Sequence, residues 1–141
     1  QPGRAKAFGR HVVKAVAGGL GESLKTARKA GVKTSQIILD PGIGFGKSYA
    51  QNYELLARLP ELAKLGFPLL VGTSRKGFIG ATLSEGGQAA TLETKIWGTA
   101  ATVTASILNG AHIVRVHDVA EMARVARVAD CILEPALAPK N

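Results

Sequence analysis

Residues 65–80 read LGFPLLVGTSRKGFIG, and the order of residue types in this stretch indicates the fold. Gly66 ends a helical pattern, the apolar run Leu69–Val71 follows, and a polar, glycine-containing segment begins at Gly72. A glycine after a helix, followed by a short apolar run, is typical of a helix that leads into a buried parallel strand. The polar segment then lies just beyond the end of that strand.

The same order of residue types occurs at two other places in the chain. Gly31 precedes the run Ile37–Leu39, and Gly110 precedes the run Ile113–Val114. Apolar residues at helical spacing predict three further helices, at Asn52–Leu65, Leu92–Asn109 and Val119–Leu133. Alternating strands and helices predict an α/β fold with a parallel sheet.

The first and last helices carry additional local signals. The first has one apolar face, formed by Phe8, Val12, Val16, Leu20, Leu24 and Ala27. Gly18, Gly19 and Gly21 lie within it and predict a kink or a break, because glycine disfavours a helix by up to ~1 kcal/mol relative to alanine. Asp118 and Glu121 have the spacing of a capping box, which predicts that the Asp118 side chain caps the last helix.

The composition indicates one ordinary globular domain. The chain has 141 residues, of which 46% are apolar and 20% charged, so we expect a packed core. No apolar stretch approaches the roughly 20 residues that span a bilayer, and Gln1–Arg10 lacks the apolar segment of a secretory signal. Cys131 has no partner for an internal disulfide, which favours a reducing, cytoplasmic compartment.

The net charge of +8 indicates either an anionic partner or a solvated basic surface. Nucleic acid, an acidic membrane surface and an anionic small molecule are the candidate partners. Proteins that bind nucleic acid usually combine basic residues with stacking aromatic side chains. Only 5% of the residues are aromatic and none alternates with the basic ones, so a basic helix face exposed to solvent is favoured over nucleic-acid binding.

Polar residues follow all three apolar runs. The segments are Asp40–Lys47, Gly72–Gly80 and Arg115–Asp118. In barrels and in open α/β sheets, ligands bind beyond the carboxyl ends of the parallel strands. We therefore expect a binding site where these three segments meet.

Two of these segments also have purely structural interpretations. Asp40 precedes Pro-Gly, as a turn residue does, and Arg75 and Lys76 have the character of surface cations. Residues 42–48 end in Gly-Lys-Ser, like a phosphate-binding P-loop. The first glycine of that motif would fall on Pro41, which excludes an ATPase of that class.

Arg115 and His117 are the strongest candidates for an anion site. Arg115 is predicted to lie in an apolar strand, where a charge must be paired or face a ligand. His117 follows two residues later, so both side chains are expected on the same side of the strand end. No set of Cys and His has the spacing of a zinc site, so no metal ion held by this chain is expected.

Together the three segments resemble the dihydropteroate synthases. The sequences IILDPGIGFGK (residues 37–47), GTSRKGFIG (residues 72–80) and RVHD (residues 115–118) occur in the order and near the spacing of that family. The resemblance runs through essentially the whole chain. It implies that residues 1–141 are a partial pterin-binding domain, the C-terminal part of a (β/α)₈ TIM barrel with about strands 6–8 and their helices.

The resemblance implies a reaction and roles for individual residues. The family are transferases of folate biosynthesis and sulfonamide targets, which join 6-hydroxymethyl-7,8-dihydropterin pyrophosphate to p-aminobenzoate, giving 7,8-dihydropteroate and pyrophosphate. The implied pterin-binding residues are Asp40, Gly44, Gly72, Lys76 and Arg115. The implied p-aminobenzoate-binding residues are Phe45, Lys76 and Gly77. Arg115 and His117 would bind pyrophosphate, and the implied catalytic residues are Lys76, Arg115 and His117.

The resemblance also implies a cofactor and partners. Mg²⁺ is expected with the substrate, with its protein ligand on early strands that this chain does not contain, and the chain alone is expected to have little or no synthase activity. The expected partners are the two small-molecule substrates, without nucleic acid or membrane, and a second copy of the chain that binds through the late helices.

Two alternative functions are weighed against this one. Methyltetrahydrofolate:corrinoid methyltransferases share the barrel and an Asp-based pterin site. They do not need the Ser-Arg-Lys segment or the Arg-x-His pair, which argues against them. A truncated, non-catalytic module that binds only a pterin or a phosphate is the other alternative.

Overall fold

The computed structural model describes residues 11–140, and Phe8 of the first predicted helical face lies outside them. The described chain contains six α-helices, two short strands, and 3₁₀ turns at Thr34–Gln36 and Pro135–Leu137. In chain order the helices and strands are α1 (Val12–Lys29), α2 (Tyr49–Ala57), α3 (Leu59–Ala63), β1 (Leu70–Val71), α4 (Gly77–Thr82), α5 (Leu92–Leu108), β2 (Ile113–Val114) and α6 (Val119–Leu133). Within this range no helix is both long enough and apolar enough to cross a membrane.

The three apolar runs lie side by side and run parallel. β1 pairs with β2 in the register Leu70↔Ile113. On the other side of β1, the Leu39 N–H donates to Pro68 O at 2.9 Å, and the Leu70 N–H donates to Leu39 O at 2.8 Å. The predicted α/β architecture with parallel strands is confirmed. The carboxyl ends of all three segments therefore lie at one edge.

The predicted strand Ile37–Leu39 is wrong in extent. Only Leu39 forms a bridge, to Leu69, and Ile38 is 52% exposed. Residues 11–140 supply no second strand to pair with the far side of this run. With a neighbour on one side only, the run lacks the hydrogen bonds of a buried strand.

The glycines of α1 do not interrupt it. A kink or a break was predicted at Gly18–Gly21, but the helix is continuous from Val12 to Lys29, so the break is wrong. The glycines lie on or near the exposed side, while the buried residues of the helix are Val12, Val13, Val16 and Leu24. Burial of this apolar face outweighs the low helix propensity of the glycines.

The helix predicted at Asn52–Leu65 is instead two helices. α2 begins earlier, after Ser48, whose side chain accepts from the Gln51 N–H while the Gln51 side chain accepts from the Ser48 N–H. Arg58 separates α2 from α3, and Pro60 lies in the first turn of α3. Pro60 has no N–H to donate to Leu56 O four residues earlier, which accepts from Asn109 Nδ2 instead, and this accounts for the interruption.

The later helices agree with the sequence. α6 has the predicted bounds, and α5 ends one residue before the predicted end. α4 was not predicted; it is short and follows the Ser-Arg-Lys segment directly. The core has two parts, one around α1–α4 and β1 and one between α5 and α6, whose buried residues are Val103, Ile107, Met122 and Ala129.

α4 packs closely against α5 at Gly98. A Cβ added at Gly98 would lie 2.9 Å from Leu83 Cδ1 and closer still to the Ile79 side chain. Because α4 follows the segment after β1 without a linker, this contact also fixes that segment against α5. The close approach depends on the absence of a side chain at position 98.

Gly98→Ala is expected to lower the free energy of unfolding by about 1–3 kcal/mol, because the added methyl group overpacks the contact between α4 and α5. Urea denaturation measures the change. Gly18→Ala is the matched control, since a Cβ there meets no atom within 4 Å. Within a helix this control is expected to raise stability by about 0.5–1 kcal/mol. Changes of the same sign in both variants would contradict the packing argument.

Candidate active site

A cavity of about 430 Å³ opens at the carboxyl ends of β1 and β2, where the sequence predicts the binding site. It is lined by Phe45, Gly72, Ser74, Arg75, Lys76, Arg115 and His117. The lining residues come from all three polar segments, as predicted. They include the predicted site residues Phe45, Gly72, Lys76, Arg115 and His117.

Lys76 is one of the charged residues that line this cavity. Its Nζ lies 4.0 Å from the centroid of the Phe45 ring, a cation–π contact. The Lys76 side chain packs closely against Gly44, which has φ +81°. A Cβ at Gly44 would lie 2.8 Å from Lys76 Cδ. Burial lowers the pKa of Lys76 and the positive charge of Arg115 lowers it further, while the charge of Asp40 opposes both. Lys76 is therefore within electrostatic range of both Asp40 and Arg115.

Arg115 lies one residue beyond the end of β2, not within the strand as predicted, and is exposed. Its N–H donates to Val71 O at 3.0 Å. The guanidinium covers Gly72, where an added Cβ would lie 3.1 Å from Nη2. Within residues 11–140, neither Arg115 nor Lys76 forms a salt bridge. Two cations without a carboxylate partner beside one cavity favour an anionic ligand.

Ser74 and His117 connect the segments that follow β1 and β2. Ser74 is buried, at 5% exposure. Its Oγ accepts from the His117 N–H at 3.1 Å and lies 2.9 Å from His117 Nδ1. His117 and Arg115 line the same cavity, as their spacing of two residues predicts.

Arg75 and Asp118 connect the same two segments by an ion pair. Arg75 Nε donates to Asp118 Oδ2 at 3.1 Å, and Nη2 donates to Oδ1. The predicted capping box is therefore wrong: Asp118 stands at the start of α6, but its side chain makes no capping hydrogen bond because Arg75 binds it. Arg75 has φ +58°, a conformation that costs a non-glycine residue on the order of 1–3 kcal/mol. The ion pair, and the hydrogen bond from Arg75 N–H to Thr99 Oγ1 at 3.2 Å, hold it there.

Hydroxyl side chains on α5 support the segment after β1. Thr102 Oγ1 lies 2.9 Å from Thr73 Oγ1, and both residues are buried, as is Thr99. These α5 residues were not predicted from the sequence. The contacts of Ser74 with His117 and of Arg75 with Asp118 were not predicted either. Small hydroxyl residues in an apolar helix carry no distinctive signal, and only the strand pairing brings the partners together.

Asp40 does not line this cavity. It is exposed, and its Oδ1 accepts from the Gly42 N–H at 2.8 Å, the turn role considered from the sequence. It lines a separate cavity of about 190 Å³ together with Ile38. The Asp40 carboxylate is nevertheless close enough for its charge to raise the pKa of Lys76. Gly77, also a predicted site residue, does not line the larger cavity and begins α4.

The segment with the Gly-Lys-Ser ending has its own internal support. Lys47 Nζ donates to Gly42 O at 2.7 Å and to Phe45 O at 3.1 Å, and burial lowers the Lys47 pKa. Asn52 Oδ1 accepts from the Gly44 N–H at 2.6 Å. Lys47 thus stabilises the loop that carries it, which agrees with the rejection of a P-loop.

A family comparison is consistent with this geometry. A sequence model described as pterin binding enzyme matches residues 2–117. This chain belongs to the pterin-binding enzyme family. Dihydropteroate synthase from Synechocystis sp. is 55% identical over 106 residues, which are 75% of this chain and 35% of that protein. The enzyme from Bacillus subtilis is 46% identical over 112 residues, which are 79% of this chain and 38% of that protein.

Solved structures of dihydropteroate synthases superimpose well on this chain. Dihydropteroate synthase from Clostridium difficile, crystallised in the presence of pteroic acid, gives a TM-score of 0.82 at 42% identity, covering 89% of this chain and 46% of that one. The Yersinia pestis enzyme with a sulfonamide drug gives a TM-score of 0.85 at 31% identity, covering 96% of this chain and 48% of that one. The chain spans less than half the length of these relatives. The predicted fold, part of a (β/α)₈ barrel, is confirmed.

Asp118→Asn is expected to make stability less sensitive to acid. The hydrogen bond from Arg75 is the main cause that lowers the pKa of Asp118. A carboxylate with a lowered folded-state pKa stabilises the fold above its unfolded-state pKa, and this contribution is lost as pH falls through the folded-state pKa. We therefore expect wild type to be more stable than the variant at neutral pH. The difference should close below about pH 4.

Urea denaturation at a series of pH values measures this difference. Glu22→Gln is the control, because the Lys25–Glu22 pair is exposed on both sides and is expected to contribute little. A constant gap between wild type and Asp118→Asn down to pH values of about 2 would contradict the role of the ion pair.

Proposed function

We propose that this chain forms the pterin-pyrophosphate and p-aminobenzoate side of a dihydropteroate synthase site. The observation that carries the proposal is the single cavity in which Lys76, Arg115 and His117 converge, next to the Asp40 loop. Because the chain spans less than half the length of its relatives, the substrates and the reaction belong to this proposal.

Arg115 and His117 are proposed to bind the pyrophosphate group. In the reaction, the amine of p-aminobenzoate bonds to the methylene carbon of the pterin, and the C–O bond to pyrophosphate breaks. Pyrophosphate leaves with the electron pair, and the amine releases a proton. Cations placed beside the leaving group stabilise its developing charge, and such preorganised charges are usually the largest contribution to catalysis. The exposed Arg115 guanidinium at the cavity wall supports this role.

Asp40 is proposed to bind the pterin. A carboxylate accepts two hydrogen bonds from the amino-pyrimidine edge of a pterin, and the exposed Asp40 side chain is accessible to such a ligand. The Gly42 N–H already fixes the position of Oδ1. Gly44 and Gly72 leave room for Lys76 and Arg115 at the border of the pterin position.

Phe45, Lys76 and Gly77 are proposed to bind p-aminobenzoate. The Phe45 ring is 62% exposed and lies under the Lys76 ammonium, so it offers an apolar face next to a cation. Gly77 has no side chain, and its backbone N–H would serve the carboxylate of this substrate. Lys76 then contacts both substrates.

The remaining expectations stay predictions. Residues 11–140 contain no group of three or more His, Cys, Asp or Glu side chains that could hold a metal ion, so the proposal assigns no Mg²⁺ ligand to them. Little or no turnover by this chain alone, sulfonamide binding, and the cytoplasmic location inferred from Cys131 are further predictions of this kind.

Asp40→Asn is expected to weaken binding of 6-hydroxymethyl-dihydropterin pyrophosphate by about 10- to 100-fold, because a hydrogen bond to a charged group contributes about 1.5–3 kcal/mol. Isothermal titration calorimetry on this chain measures the affinity. Asp130→Asn removes another exposed carboxylate, on α6, and is the matched control. Unchanged affinity in Asp40→Asn, or equal loss in both variants, would contradict the pterin assignment.

The outer face of α5 and α6 is proposed to bind a second copy of the chain. These helices form a groove of about 410 Å³, which is lined by Ala100, Ala101, Thr104, Arg124, Val125, Val128, Ala129 and Ile132. Val128 and Ile132 are 63% and 58% exposed, and Trp97 on α5 is 72% exposed. Contiguous exposed apolar residues are typical of protein interfaces. Trp97 is thus not in the core.

Val128→Glu is expected to convert a dimer to a monomer, because a charged side chain at this position would have to lose its water on association. Sedimentation velocity measures the oligomeric state. Val119→Glu is the matched control, since Val119 is 65% exposed and does not line the groove. A monomeric wild type, or a dimer that survives Val128→Glu, would contradict the assigned interface.

A further inference from the structure

Two contacts between Ser74 and His117 bear on which nitrogen of the imidazole carries the proton. Ser74 Oγ lies 3.1 Å from the His117 backbone N. A backbone N–H only donates, so Ser74 Oγ is the acceptor in this hydrogen bond. The hydroxyl hydrogen of Ser74 then remains to be donated to another group.

The Nδ1 atom of His117 is the acceptor within reach of that hydroxyl hydrogen, at 2.9 Å from Oγ. Within residues 11–140, Ser74 Oγ contacts two hydrogen-bonding atoms, the backbone N and the Nδ1 of His117. Ser74 is 5% exposed, and a buried hydroxyl hydrogen without an acceptor is costly. In a neutral imidazole one nitrogen accepts and the other carries the proton. If Nδ1 accepts, the proton lies on Nε2.

We propose that Ser74 is a positioning residue that holds His117 in the tautomer protonated at Nε2, so that this N–H faces a phosphate oxygen of a bound pyrophosphate. His117 lines the cavity and turns Nδ1 towards Ser74, which leaves the opposite ring nitrogen for the ligand. The inference rests on the proposed function for the identity of the anion. Ser74 lies in the segment Gly72–Gly80, but no role was predicted for it from the sequence.

The chemical consequence concerns the phosphate oxygens. An imidazole protonated at Nδ1 would turn the lone pair of Nε2 towards an oxygen that also carries lone pairs, and the two would repel each other. The tautomer protonated at Nε2 donates instead, next to the guanidinium of Arg115. One buried hydroxyl group thus fixes the backbone of His117 and the donor character of its ring.

The first test is a ¹⁵N NMR measurement of the His117 side chain in this chain, at a pH well above the ordinary imidazole pKa of about 6.5. The expected spectrum shows a protonated Nε2 and an unprotonated Nδ1. A ring protonated mainly at Nδ1 overturns the proposal. This measurement needs no ligand and no variant.

The second test is a double-mutant cycle with inorganic pyrophosphate as the probe. Affinities are measured by calorimetry for wild type, Ser74→Ala, His117→Gln, and the double variant. Ser74→Ala is expected to weaken binding about three- to tenfold in the wild-type background. In the His117→Gln background, which has no Nδ1 for Ser74 to bind, the same change is expected to cost less than about twofold. An equal cost in both backgrounds means that Ser74 does not act through the ring and overturns the proposal.

Ser106→Ala is the matched control, because Ser106 is fully buried on α5 and its hydroxyl donates to Thr102 O within that helix. Its pyrophosphate affinity is expected to equal that of wild type, and an equal loss in Ser106→Ala and Ser74→Ala also overturns the proposal. Failure of wild type to bind pyrophosphate counts against the proposed function and against the role of Nε2–H. The NMR spectrum then still decides the tautomer by itself.

Discussion

The parallel pairing of β1 with β2 sets the position of most groups in the cavity. Leu70 pairs with Ile113, a separation of 43 residues. The same separation continues beyond the strands, where Ser74 contacts His117 and Arg75 contacts Asp118. The two loops therefore stay in register after the strands have ended. A slip of one residue would turn the side chains to opposite faces and separate these partners.

This register also gives the cations near the cavity two different functions. Arg75 joins the two loops, whereas Lys76 and Arg115 face the cavity. Arg75 is neutralised by Asp118, and this pair fixes the loops to each other. Lys76 and Arg115 form no salt bridge within residues 11–140, so their charges remain directed at the cavity. Buried hydroxyl groups on α5 support the loop from the other side. The result is a positively charged wall whose groups are oriented before a ligand binds, the condition under which charges contribute most to catalysis.

The sequence predicted the parts of the fold that depend on local pattern. Apolar spacing and closing glycines placed α5, α6 and β2 correctly, and the polar residues after each run predicted where the cavity lies. The interruption at Arg58 depends on Pro60. The shortness of the Leu39 segment depends on the absence, within residues 11–140, of a strand on its far side. Apolar periodicity does not report either of them.

The site was predicted less completely, because several of its contacts join residues that are far apart in sequence. Asp118 has the local spacing of a helix cap, but Arg75 on the neighbouring segment competes for its carboxylate. Ser74 carries no signal until the register between β1 and β2 is known. With that register, the same separation of 43 residues predicts both pairs. Tertiary pairing, not residue type, was the missing information.

A crystal structure of this chain with 6-hydroxymethyl-dihydropterin pyrophosphate tests the central claim most directly. The account predicts that the diphosphate lies in the cavity between Arg115 and His117, and that the amino-pyrimidine edge of the pterin lies on the Asp40 carboxylate. A diphosphate bound elsewhere, or a pterin ring that does not contact Asp40, would contradict it.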